Sequence, residues 1–325
     1  MDGHPLALLS LPRLPGVSHA LRRPACLRRA VGFQYRLNAE RQRFAKELRF
    51  VPIVHPTAIV DPRAEIADSA EIGAYSIIKG PVTIGPETIV QEHCHVHGPT
   101  IIGAGCRIGP AAFVGLAPQH LRFTADENNP TYVVIGDAVI IREGASVHRA
   151  THPGIEHATR LGNRVFAMGS VHIAHDCVIE DDAILANGAL LGGHCHIGAR
   201  AFLGGGCTLH QFTQIGRLAV IGGNEAVAKD VPPFGAVWER RLKGYNAVGC
   251  RRAGLTRAAI AAIRSAYQLL HANRSTNAAF AAIAHQVERT PEVAEILAFI
   301  AASKRGILGT RGDAPAPSGD EPSTA

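Results

Sequence analysis

The chain has 325 residues and a formal charge of +6, but residues 1–50 alone hold ten Lys/Arg against Asp2, Glu40 and Glu47, leaving the remainder at net −1. Aromatic residues make up only 5%, with one Trp, whereas Gly reaches 34, which argues against an aromatic-cored sandwich and suits a tightly turned repeat. There is no run of 18 apolar residues, so no membrane-spanning helix is expected.

In chain order, residues 1–50 form a basic N-terminal extension, Arg-rich and acid-poor, without the apolar stretch of a secretory signal. It is read as a disordered arm, with a transit-like peptide and an overlong start as the open alternatives.

From residue 51 an internal repeat decides the fold. Aliphatic residues recur every six positions at Ile66, Ile72, Ile78, Ile84, Val90, Val96, Ile102, Ile108 and Val114. Ile53 and Ile59 precede them, with one extra residue before Ile66. The spacing resumes at Ile135, Ile141 and Val147, then from Leu161 through Ala167 and Ile173 to Val227. Gly follows the aliphatic in twelve cases, as in Ile72-Gly73 and Leu191-Gly192. A period of six fits neither an α-helix nor a simple alternating strand. It fits a parallel β-helix over 51–233, in which three strand-and-turn units close an 18-residue triangular coil. About nine coils at the usual strand spacing give a prism roughly 40 Å long. Polar excursions near 115–134 and 148–160 loop out of it, where solenoids often build binding surfaces.

The pattern stops at Pro232-Pro233, and 234–255 reads as a connecting segment. A helical domain over 256–308 follows. Its first helix starts at Thr256 with Ile260, Ile263, Tyr267 and Leu270 on one face, a second spans 276–288, and a third begins at Thr290-Pro291. Residues 309–325 read as a disordered tail.

The seven cysteines (26, 94, 106, 177, 195, 207 and 250) are odd in number and lack CxxC spacing. They are expected to be reduced core thiols of a cytosolic protein, not disulfides or zinc ligands.

Coil arithmetic also gathers polar residues. Ile173, Leu191 and Leu209 are 18 apart, so His175, Gly193 and Gln211 share one column, flanked by His172, His194 and His210. Histidine is suited to take a proton from a hydroxyl, and a Gly lets its backbone amide approach a developing oxyanion. Three imidazoles can alternatively hold zinc. A flat prism side has no pocket, so a partner subunit or a loop must complete one.

Several motifs resemble the acyl-ACP:UDP-N-acetylglucosamine O-acyltransferase family of lipid A biosynthesis. They are Ile53-Val54-His55-Pro56-Thr57-Ala58-Ile59-Val60, His172-Ile173-Ala174-His175-Asp176-Cys177, Leu209-His210-Gln211-Phe212 and Asp230-Val231-Pro232-Pro233. The segments Ala262-Ile263-Arg264-Ser265-Ala266-Tyr267 and Pro291-Glu292-Val293 are similar too, so the likeness covers roughly 53–308. The resemblance implies a left-handed β-helix, a cytoplasmic homotrimer with sites between subunits, and neither cofactor nor metal. It implies His175 as general base on the sugar 3-hydroxyl, Asp176 polarising it and Gly193 as oxyanion donor. Gln119, His120, His172, His194, His210, Gln211 and Asn246 would line the donor and sugar sites. Arg251 and Arg252 would meet nucleotide phosphates, and Gly223 would limit the acyl chain.

Two departures stand out. Gln119-His120-Leu121 replaces the family's Gln-Asp-Leu, and Ala253 stands where the family has a further Arg. Residues 240–287 contain no Asp or Glu but eight basic residues, a surface suited to an acidic acyl carrier protein. Three alternatives remain open: an N-acyltransferase acting on a related UDP-amino sugar, a trimeric zinc hydratase of the γ-carbonic anhydrase type, and a catalytically inactive scaffold.

Overall fold

A computed structural model describes residues 51–126, 128–273 and 275–310. The expectations for 1–50 and 311–325 lie outside the described residues. The repeat folds as a parallel β-helix whose two- to four-residue strands stack in three sheets. Within a sheet, partners are usually 18 residues apart, as in His172↔Leu190 and Leu190↔Thr208. The two excursions interrupt this: Arg107 pairs with Ile140, and Ser146 with His172. Strands run to Leu116 and His148 and resume at Val133 and Thr159, so the loops occupy 117–132 and 149–158, slightly less than the sequence suggested.

The six-residue phase is set by what must be buried. Ile72, Ile78, Ile84, Ile179, Leu185 and Leu191 are each at most 2% exposed. Each full burial of such a side chain stabilises by about 1.5–3 kcal/mol. One expectation needs correcting. Val54 pairs with Ile72 and Val60 with Ile78, so the inward series is 54, 60, 66 with no inserted residue. Ile53 and Ile59 are their outward neighbours, 43% and 63% exposed. Where two aliphatics adjoin, the sequence does not say which faces in. The ladder register decides it.

Two residues before each aliphatic, a second inward slot takes small side chains: Cys94, Cys106, Cys177, Cys195 and Cys207 sit there, as do Ala183, Ala189 and Ala201. The six described cysteines are free and buried, and burial pushes the Cys207 thiol up to about 12. At the corners, non-Gly residues such as Asp176, His194 and Phe212 take φ near +60°. Turn-to-turn bonds stabilise this conformation: His194 N donates to His175 O (3.0 Å) and Phe212 N to Gly193 O (2.9 Å).

The segment 234–255 is more than a connection. Gly235–Trp238 adds a parallel strand to the first sheet, Arg241–Tyr245 returns antiparallel to it, and a short helix α1, Ala247–Arg252, follows. Buried Glu225 accepts the backbone N–H groups of Glu239 and Arg240 and so ties down this hairpin. Three helices complete the chain: α2 (Arg257–Ala272), α3 (Thr276–Gln286) and α4 (Pro291–Ala302). They begin with side-chain caps from Thr256, Ser275 and Thr290. Buried Tyr267 donates its hydroxyl to Pro233 O (2.7 Å), and Arg217 pairs with Glu295 (2.7 Å), fastening helices to prism. Fully buried Asp230 accepts from Gln214 N and from Ser303 Oγ, pinning the chain's return to the prism end.

Candidate active site

The corner after the strands His172–Ile173 and Leu190–Leu191 gathers the polar group. His175 is 8% exposed, and its Nδ1 lies 2.7 Å from Asp176 Oδ2. With that nitrogen committed to a carboxylate, Nε2 is the ring position left for a substrate. His194 Nε2 is 3.4 Å from the same Asp176 oxygen, and its ring stacks on Phe212 with centroids 4.5 Å apart. Burial alone would raise the Asp176 pKa, but hydrogen bonds from His175 and Thr151 outweigh it and hold the carboxyl below its ordinary value. Desolvation lowers the His194 pKa, with Asp176 opposing it.

Gly193 is required by packing. A Cβ there would lie 2.4 Å from His175 Cε1, so any side chain would displace the ring. Among the described residues, the backbone hydrogen bonds place no acceptor on the Gly193 N–H.

The remaining sequence candidates divide. His120, on the first excursion and exposed, brings its ring edge-on to His175 at 5.7 Å between centroids. Its neighbour Gln119 is exposed on the same loop. His172 Nδ1 lies in hydrogen-bond contact with Ser146 Oγ (2.8 Å), and its ring meets His148 edge-on at 5.0 Å. Burial lowers the His172 pKa, and His148 falls to about 4 for the same reason. His210 turns its Nδ1 to Gln211 O (3.1 Å), and both residues are exposed. Gly223 lies at a different corner of the prism, facing Gly205 O. Arg251 and Arg252 are exposed in the last turn of α1. The amide of Asn246, a further candidate, makes hydrogen bonds within the chain. Oδ1 accepts from Gly249 N as the α1 cap, and Nδ2 donates to Leu218 O.

Among the described residues no three imidazoles converge on a common point. The group that converges among the described residues is His175, Asp176 and His194. Two ligands on a tetrahedral zinc stand roughly 3.3 Å apart, given bonds of about 2.0–2.1 Å. The 2.7 Å contact of His175 with Asp176 is a hydrogen bond instead.

Sequence reasoning missed Thr151, Thr159, Ser146 and His148. The first two contact Asp176 from either end of the second excursion. No repeat spacing marks them, because the loop breaks the phase.

Residues 230–308 match a family described as UDP N-acetylglucosamine O-acyltransferase, domain 2, and residues 158–193 match the bacterial transferase hexapeptide (six repeats). An acyl-[acyl-carrier-protein]–UDP-N-acetylglucosamine O-acyltransferase of Syntrophobacter fumaroxidans is 40% identical over 259 residues, 78% of this chain and 99% of that protein. The chain belongs to this O-acyltransferase family. The family's enzyme from Moraxella catarrhalis superposes with a TM-score of 0.73 at 36% identity, covering 78% of this chain and 99% of that one. The Acinetobacter baumannii member gives 0.73 at 36%, covering 79% and 99%. The similarity to relatives therefore takes in both the prism corner and helix α1, which carries Arg251 and Arg252. No described helix is long and apolar enough to cross a membrane.

Proposed function

We propose that this chain moves a (3-hydroxy)acyl group from an acyl carrier protein thioester to the 3-hydroxyl of UDP-N-acetylglucosamine, the first step of lipid A biosynthesis. The observation that carries this reading is His175, bound through Nδ1 to Asp176 and pressed onto the bare backbone of Gly193. His175 Nε2 takes the hydroxyl proton as the sugar oxygen attacks the thioester carbonyl. The Gly193 N–H donates to the oxyanion of the tetrahedral intermediate, where such a donor is worth about 10²–10³ in rate. Collapse expels the carrier thiolate, which recovers the proton from His175. Asp176 fixes the tautomer and stabilises the imidazolium that forms in between.

The roles of the surrounding residues belong to the same proposal. His120, Gln119, His172, His194, His210 and Gln211 line the sugar and donor sites, and Gly223 limits the acyl chain. Arg251 and Arg252 receive the nucleotide phosphates, with Asn246 acting by capping the helix that presents them. The chain works in the cytoplasm as a homotrimer. Exposed Gln211 and Phe212 beside an open prism corner support a site completed by a neighbouring subunit. The acid-free stretch 240–287 meets the acidic carrier protein.

The test is mass-spectrometric detection of the acylated nucleotide sugar from purified protein, acyl carrier thioester and UDP-N-acetylglucosamine. His175→Ala should lose on the order of 10²–10⁴ in rate with the fold intact. His210→Ala should lose less, in KM as well as kcat. Near-full activity of His175→Ala would remove this base from the mechanism.

A further inference from the structure

The excursion 149–158 leaves the prism after the strand Ser146–His148 and returns to it at Thr159–Leu161. Its two ends close on one residue. Thr151 donates twice to the Asp176 carboxylate, from its backbone N to Oδ1 (3.0 Å) and from its hydroxyl to Oδ2 (2.7 Å). Thr159 Oγ1 accepts the Asp176 backbone N–H at 2.8 Å. Because the Thr151 hydroxyl gives its proton to the carboxylate, its oxygen is left to accept from His152 Nδ1 at 3.1 Å.

Asp176 has φ +59°, at the tip of a turn where its side chain has no strand to hold it. Its carboxylate is 8% exposed and faces His175, His194 and Thr151. Oδ2 receives His175 and Thr151 together, and Oδ1 receives the Thr151 amide. Two bonds from one residue fix both the position and the rotation of the carboxylate plane, which one bond cannot do. Removing the hydroxyl leaves an acceptor in a water-poor site short of a donor, and frees the plane to turn away from His175.

We infer that Thr151 is a positioning residue of the transfer reaction: it locks the Asp176 carboxylate against His175, making the second excursion a support of the catalytic dyad as well as a rim of the site. This rests on the reading of His175 and Asp176 as base and partner.

A double-mutant cycle on the full chain tests it, with kcat, KM for both substrates and melting temperature read for each variant. Thr151→Val keeps size and amide but loses the hydroxyl. It should lower kcat about tenfold, the effect of one charge-assisted hydrogen bond, with KM for the nucleotide sugar little changed. Thr151→Ser should restore most of the rate. Asp176→Asn should itself be slow, and adding Thr151→Val to it should cost less than about twofold, because the group Thr151 acts through is gone. An equal loss in both backgrounds, a loss confined to KM, or unchanged kcat in Thr151→Val would overturn the inference. A fully active Asp176→Asn would instead strike the underlying reading of the dyad. A slow Asp176→Asn with a normal Thr151→Val sinks the positioning role alone.

Discussion

The corners of one coil share a backbone and differ in chemistry. After Leu191 the turn runs Gly192-Gly193-His194, and after Leu203 it runs Gly204-Gly205-Gly206. Position 194 has φ +60° and position 206 has φ +67°, and the turn amides bond to the preceding coil in the same way, His194 N to His175 O and Gly206 N to Asn187 O. Yet a Cβ on Gly193 would collide with His175 at 2.4 Å, whereas one on Gly205 would meet only Asn187 O at 3.3 Å. The repeat thus dictates the turn and the inward side chains but leaves the outward slots free. The proposed dyad and oxyanion donor are a set of substitutions at one corner of a repeated scaffold. They need no special backbone.

The sharpest way to break that comparison is to place the same methyl at both corners. Gly193→Ala should lose activity by on the order of 10²–10³, because the displaced His175 ring and the hindered amide both act on the transition state. Gly205→Ala should keep activity within about threefold, since only a small shift is asked of one carbonyl. Initial rates and melting curves for the two purified variants decide it. Equal losses at the two corners would mean that the turn backbone, not the ring it carries, sustains the reaction.

The corner should also be distinguishable by pH. His148 occupies the slot directly after an inward aliphatic, where Gly or Ala is the common choice, and it is 5% exposed with its Nδ1 unpartnered. Burial takes its pKa from 6.5 to about 4. The unfolded chain therefore binds a proton that the folded one refuses between these values. Stability from this residue is whole above pH 6.5 and falls as the pH drops towards 4, by roughly 3 kcal/mol. Urea midpoints measured across this range should show the decline, and His148→Gln should make it shallower, leaving the part owed to His172 and His194. An unchanged pH dependence in the variant would show that His148 does not sit neutral in the fold.

What was legible in the sequence follows the same division. The inward phase was readable because a six-residue period admits one closure, and the buried cysteines were readable as small inward residues. The grouping of His175 with Gly193 followed from the 18-residue coil. The phase of the first two strands was misread, because Ile53-Val54 and Ile59-Val60 each offer two candidates and only hydrogen-bond register chooses between them. The hairpin of Gly235–Trp238 and Arg241–Tyr245 was read as a connection, since after Pro232-Pro233 no period remains to follow. Thr151 was unreadable for a related reason. Its bond to Asp176 spans 25 positions, and the length of an irregular loop fixes that number, not the repeat.

The smallest effect belongs to His120, where a loop reaches the corner from outside the repeat. Its ring is exposed and meets His175 edge-on at 5.7 Å between centroids, and in the proposed reaction it binds the sugar and leaves proton transfer to the dyad. The position differs from the family's pattern, which has a carboxylate there. An imidazole accepts a hydrogen bond from a sugar hydroxyl much as a carboxylate does, but with one acceptor atom in place of two oxygens. His120→Asp should therefore change KM for UDP-N-acetylglucosamine by about three- to tenfold and leave kcat within about threefold, since the dyad is untouched and one hydrogen bond is worth about 0.5–1.5 kcal/mol. Competing the hydroxyl substrate against its 3-amino analogue with one donor adds the decisive comparison. The native chain should favour the hydroxyl. A strong preference for the amine, abolished by His120→Asp, would instead make this loop the element that turns the same corner to N-acylation.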